Sequence, residues 1–205
     1  MSYILFDVGA NNGSDSIEKT RSNLDIITFA FEPTPRLYEI IKNNTEDIKN
    51  RYLVYNYALS DFIGIAQFNI AGQSDWGCSS LNTFSDNLDA TWPGRSDFKV
   101  TETIDVEVIT LKYFIDNLCP MKIDKIDYLH CDTQGSDLKV LKGAGEYINI
   151  IQNANIEVPD SEAVKLYKEN HSYDDAVNFI NANGFEIYNI TQQQNEKNIY
   201  FKRIE

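Results

Sequence analysis

Phe6-Asp7-Val8-Gly9-Ala10-Asn11-Asn12-Gly13 is an apolar strand that runs into a turn bracketed by two glycines, and a helical pattern opens at Ser14. Such a turn lets a ligand approach the backbone closely. Gly9 and Gly13 take up little room, and Asp7 can accept a hydrogen bond from a ligand ammonium group. The amides that open the helix, which Ser14 or Ser16 could cap, can receive a carboxylate. An amino acid moiety suits both ends of this turn, although a tight strand-to-helix connection with a satisfied Asp would read the same way.

Outward from the turn, strand-like and helix-like runs alternate. Tyr3–Val8 precedes a helix over Ser14–Ser22, and Ile26–Phe31 precedes one over Pro35–Asn44; strands follow over 53–58 and 126–132, with a helix over 136–141. This rhythm predicts an α/β fold, a parallel sheet with helices on both faces. Residues 153–158, 185–190 and 198–202 read as three more strands, the last two as a C-terminal antiparallel hairpin, after a helix over 173–183 that Gly184 stops. Between residues 72 and 98 the pattern dissolves into Gly, Ser, Asp, Asn and Pro with interspersed aromatics, a length that marks a functional or mobile segment.

Polar residues at strand ends supply the remaining candidates. Glu32 ends the second strand before Pro33, about where doubly wound folds place a carboxylate on a cofactor ribose, so with the glycine turn it points to a nucleoside ligand. The turn lacks the G-x-G-x-x-G spacing and the Lys of a pyrophosphate cradle, which disfavours NAD. Ser60 and Asp61, after the third strand, could bind an adenine edge or form a plain turn. In the strand over 126–132, alternation puts His130 and Asp132 on one face at the carboxyl edge, and Glu157 ends the next strand at the same edge.

At 205 residues, with 42% hydrophobic and 24% charged, the chain is expected to fold around one sizeable core as a single domain. No apolar run approaches the ~20 residues of a membrane span, and the strand pattern starts without a signal peptide, so a cytoplasmic protein with no membrane partner is expected. Cys78, Cys119 and Cys131 have neither disulfide nor zinc spacing and are expected to be reduced and buried. A formal charge of −13 repels a phosphate backbone, and no Lys/Arg stripe reverses it, so a nucleic acid partner is not expected.

The ordered motifs D-V-G-A-N-N-G, F-E-P-T-P, A-L-S-D, S-S-L, V-I-T-L-K-Y-F, I-D-Y-L-H-C-D-T-Q-G-S-D-L-K-V-L-K-G-A and N-I-E-V make the chain resemble the FkbM-type methyltransferases. The resemblance runs from about Phe6 to Val158. It implies a class I methyltransferase, Rossmann-like fold with a seven-stranded, mostly parallel sheet, S-adenosylmethionine as donor, and O-methylation of a sugar, glycan or secondary metabolite. On the same ground Asp7, Gly9, Asn11, Asn12 and Gly13 are expected at the methionine end, Glu32 at the ribose, and Ser60 and Asp61 at the adenine. The chain departs from the family's K-I-D-x-E-G pattern, carrying His130 for Lys and Gln134 for Glu, and a Gln can act neither as a base nor as a strong metal ligand.

The expected chemistry is in-line displacement, with Asp132, helped by His130 or Glu157, taking the acceptor proton. The 72–98 segment, with Ser79, Ser80 and its tryptophans Trp76 and Trp92, is expected to be an acceptor lid. Three other readings stay open on sequence alone: an oxidoreductase, a cofactor-binding protein without catalysis, and a nitrogen- or protein-directed methyltransferase.

Overall fold

The computed structural model describes residues 2–72 and 77–204. Its main sheet has seven strands in the order β3-β2-β1-β7-β8-β10-β9. Five run parallel: β1 (Tyr3–Val8), β2 (Ile26–Phe31), β3 (Tyr52–Tyr55), β7 (Tyr128–Cys131) and β8 (Asn153–Pro159). The hairpin of β9 (Phe185–Gln193) and β10 (Glu196–Arg203) closes the far edge antiparallel, as expected, and reaches further than the predicted 185–202. Because β1 pairs with β2 on one side and β7 on the other, the chain reverses its winding at β1, and in open α/β sheets ligands bind beyond the carboxyl ends at that point.

The helices α1 (Ser14–Ser22), α2 (Pro35–Asn44), α4 (Leu111–Asn117), α5 (Asp137–Lys142) and α6 (Tyr173–Ala182) complete the layers around the sheet, while α3 is a single turn over Leu88–Thr91. Strand β1 is buried from Ile4 to Val8, as a central parallel strand must be. Its Phe6 packs against Phe29 at 5.1 Å, and Phe114 of α4 meets Phe31 edge-on at 4.8 Å. Helix α6 opens with a capping box between Ser172 and Asp175 and ends one residue before the Asn183–Gly184 pair, Gly184 having φ 76°.

Two expectations are revised. The strand predicted over 53–58 is two strands. Asn56 donates to the carbonyls of Glu32 and Pro33 at 2.8 and 2.9 Å, and beyond it β4 (Ala58–Leu59) leaves the main sheet. There it joins β5 (Gly64–Ala71) and β6 (Val100–Ile109) in a second sheet of order β4-β6-β5. Phe68 and Ile70 of β5 and Val106 and Val108 of β6 bury the inner face of that sheet, a period-two pattern that the sequence reading passed over. Strand β7 is also shorter than 126–132, since Asp127 Oδ2 accepts from the Ile4 amide at 2.8 Å and a side chain stands in for the ladder. Among the described residues, no helix is long and apolar enough to cross a membrane. Cys78 and Cys131 are buried thiols and Cys119 is half-buried, with no disulfide among the described residues.

Candidate active site

The glycine turn is built from left-handed backbone at Gly9 (φ 81°), Asn11 (φ 51°) and Gly13 (φ 72°). Gly9 lines two of the clefts described below, and the side on which a Cβ would stand is filled by protein. A Cβ on Gly9 would overlap the carbonyl oxygen of Asp132, so this glycine lets the ends of β1 and β7 touch. Asn11 tolerates the left-handed conformation better than most residues, and that conformation aims its amide at Glu32 Oε2 at 2.9 Å. The Thr34 amide donates to Glu32 Oε1 at 2.8 Å. Glu32 is only 4% exposed, and burial raises its pKa to about 7 against the pull of these amides.

Helix α1 starts at Gly13 with no side-chain cap, contrary to the expectation for Ser14 or Ser16. Asn12 Oδ1 accepts from the Ser14 amide at 3.0 Å, while Ser16 Oγ turns to Tyr52 Oη at 2.8 Å. Asp7 is buried beside this helix start, and burial raises its pKa while the nearby His130 opposes the shift. The buried Asn11 Oδ1 has no partner among the described residues.

Three clefts meet here. One is lined by Asn11 and Glu32 with an apolar wall of Leu37, Tyr57, Leu59 and Phe68. The second runs along the glycine turn past Asp7, Gly13, Lys19 and His130. The third opens between Trp92, Arg95, Glu157, Glu196 and Asn198. Asp132 lines all three, whereas His130 lines the second and Glu157 the third. The fold thus draws apart the two partners proposed for Asp132. Ser60 and Asp61 line none of these clefts: Ser60 is fully buried against Gly143, and its Oγ lies 3.4 Å from Asp61 Oδ1. Tyr57 and Leu59, just before them, occupy the wall instead. Their signal is apolar, and the search for polar ligands missed it.

His130 Nδ1 sits 2.9 Å from Asn155 Oδ1, which also accepts from the Tyr128 hydroxyl at 3.0 Å. An amide oxygen only accepts, so the neutral ring carries its proton on Nδ1 and a lone pair on Nε2. Glu157 accepts from Asn198 Nδ2 at 3.2 Å. Burial first, and the Asp132 carboxylate second, push both Glu157 and Glu196 above the usual carboxylate range. Glu157 therefore keeps its proton at neutral pH and is a poor proton acceptor there. Glu196 and Asn155 escaped the sequence reading, because a carboxylate on the returning hairpin and a mid-strand amide meet this edge only after the sheet assembles.

The segment expected to act as a lid is pinned on its far side. Trp92 is 5% exposed and donates from Nε1 to the Val164 carbonyl at 3.2 Å, and Phe84 stacks on Tyr167 at 5.2 Å. Ser79 Oγ bonds the Ala71 amide at 3.0 Å and Ser80 Oγ the Gln134 carbonyl at 2.6 Å, so both serines hold the loop. Trp76 lies outside the described residues.

The sequence matches the FkbM methyltransferase domain over residues 7–187. It is 26% identical over 192 residues to the methyltransferase sdnD of Sordaria araneosa, covering 78% of this chain and 68% of that protein. The fold resembles that of an FkbM methyltransferase from Methylobacillus flagellatus, with TM-score 0.56 and 15% identity over 98% of this chain, which spans 43% of that one. It also resembles Aeropyrum pernix fibrillarin, solved with S-adenosyl-L-methionine, with TM-score 0.55 and 9% identity over 98% of this chain and 66% of that one. The domain match begins at Asp7 in the glycine turn, takes in Glu32, Asp132 and Glu157, and runs into β9; the chain belongs to the FkbM methyltransferase family.

Proposed function

We propose that this chain transfers a methyl group from S-adenosylmethionine to a hydroxyl of a small-molecule acceptor such as a sugar, a glycan or a secondary metabolite. The observation that carries the reading is the position of Asp132, the one candidate base shared by the three clefts. The donor would lie across two of them. Asp7 would take its ammonium group, the start of α1 its carboxylate, Glu32 its ribose hydroxyls, and the wall of Leu37, Tyr57, Leu59 and Phe68 its adenine. The partnerless Asn11 Oδ1 and the buried Asp7, whose pKa burial raises in spite of His130, Ser16 and Lys19, fit a ligand that brings hydrogen-bond donors and a positive charge.

When bound, the donor would supply an electrophilic methyl to the acceptor oxygen, its sulfur keeping the electron pair of the broken bond, and the hydroxyl proton would leave to a base. Asp132 is that base in this reading, and alignment of the two clefts supplies much of the rate. Glu157, kept protonated, donates a hydrogen bond toward the acceptor side. An amine acceptor is a second reading, favoured by the carboxyls of Asp132, Glu157 and Glu196 on the third cleft.

The test is transfer of labelled methyl from adenosylmethionine to panels of sugars, hydroxylated metabolites and amines. Label on a hydroxyl oxygen supports the first reading and label on nitrogen the second. Binding of adenosylhomocysteine with no transfer to any panel would count against both.

A further inference from the structure

Gln134 occupies the position where the family pattern has Glu, and it lines both the donor cleft and the acceptor cleft together with Asp132. Its side chain bridges the two. Nε2 donates to Asp132 Oδ1 at 2.7 Å, and Oε1 accepts from the buried Tyr167 hydroxyl at 3.0 Å. Tyr167 also reaches the Cys78 carbonyl at 2.8 Å, so its single hydrogen has two acceptors. The backbone at Gln134 is left-handed, φ 53°, an uncommon conformation for this residue type. Ser80 Oγ and Asn82 Nδ2 hold it there by donating to the Gln134 carbonyl at 2.6 and 3.2 Å.

We propose that Gln134 is the positioning residue of the site: its amide fixes one oxygen of Asp132, leaves the other to the acceptor, and serves the carboxyl in both protonation states. The inference rests on Asp132 being the proton acceptor. While Asp132 is ionised, the amide donates to it and accepts from Tyr167. Once the acceptor's proton sits on the other oxygen, Oδ1 is the carbonyl oxygen of a carboxylic acid and still accepts from Nε2, while Oε1 still accepts from Tyr167. The network keeps its hydrogen bonds without rearrangement, and no proton is gained or lost beyond the one transferred. An ionised Glu at 134 would offer Asp132 no donor and would add a fifth carboxyl to the four already facing it: Asp7 from β1, Asp137 from α5, Glu157 from β8 and Glu196 from β10. The basic groups on the same edge are Lys19 and His130 on the second cleft and Arg95 on the third.

The experiment needs no acceptor. Protein labelled with ¹³Cγ-aspartate, saturated with adenosylhomocysteine, is titrated by NMR, with the Asp132 signal assigned from Asp132→Asn. In Gln134→Met, which keeps the volume and loses the donor, the midpoint of the Asp132 signal moves to higher pH by about one unit or more. Gln134→Asn suits the left-handed backbone better and is one methylene too short to reach; it shifts the midpoint in the same direction, and it decides the matter if the Met variant fails to fold. In Gln134→Glu the shift is at least as large. A thermal melt with adenosylhomocysteine present confirms the fold of each variant. An Asp132 midpoint unmoved in a folded Met or Asn variant overturns the proposal and leaves Gln134 as a residue that merely shapes the turn. Failure of the wild-type protein to bind adenosylhomocysteine would instead remove the donor reading on which it stands.

Discussion

Replacing Glu32 by Gln keeps the volume of the side chain and removes one of its acceptor oxygens. In the native protein each carboxylate oxygen already takes a backbone amide, Asn11 on one and Thr34 on the other, which leaves one lone pair apiece for a ribose hydroxyl. A Gln must present its NH₂ group to one of those amides, donor against donor, and can offer the ribose one oxygen without charge. Losing charge-assisted bonding of this kind costs about 1.5–3 kcal/mol, or about 10- to 150-fold in affinity. Titration calorimetry with adenosylhomocysteine measures it directly, with a thermal melt to confirm the fold.

The pH dependence gives a second, independent reading. Burial raises the Glu32 pKa from 4.5 to about 7. The protonated form is thus favoured by folding: this group's stabilising contribution is complete below about 4.5 and is lost as pH climbs through about 7. Two hydroxyls donating to the carboxylate favour its ionised form, so binding expels a proton, and affinity rises with pH up to about 7 and then flattens. Glu32→Gln has nothing to titrate and loses that slope. A variant with wild-type affinity and a wild-type pH profile would refute Glu32 as the ribose ligand.

Asp132→Asn keeps donor affinity and lowers the transfer rate by about 10²- to 10⁴-fold, measured in single turnovers with whichever acceptor the panels identify; full activity would remove Asp132 as the base. Gly9→Ala sets a Cβ against the Asp132 carbonyl at a positive φ. It should therefore lose about 2–5 kcal/mol of stability in urea melts, even with no ligand present, and an unchanged midpoint would show that the strand ends can part. Asn155→Leu deprives His130 Nδ1 of its acceptor. Its ¹⁵N spectrum should change from the Nδ1–H tautomer toward the Nε2–H form, and an unchanged spectrum would mean that another group sets the tautomer.

The local signals in this chain were readable because each is contained in a few neighbouring residues. The run from Phe6 to Gly13 is a buried strand ending in positive-φ glycines, and sequence alone placed β1, α1, β2 and α2 at the bounds the structure has. Glu32 before Pro33, and Asp132 after an apolar strand, fell at the carboxyl edge because strand direction and alternation put them there. What Gly9 touches, by contrast, depends on β7, which pairs with β1 from more than a hundred residues away. The separation of His130 from Glu157 is of the same kind, since neighbouring strands deliver them to opposite sides of Asp132. So is the arrival of Glu196 on a hairpin that folds back against β8. The strands β5 and β6 carry a local period-two pattern, but that β4 leaves the main sheet to pair with β6 across a forty-residue gap is decided by packing, which no local window contains. The sequence by itself thus determined which residues have the right chemistry and which edge they reach; the tertiary structure decided which cleft each one faces, because a cleft is the space left between segments distant in the chain.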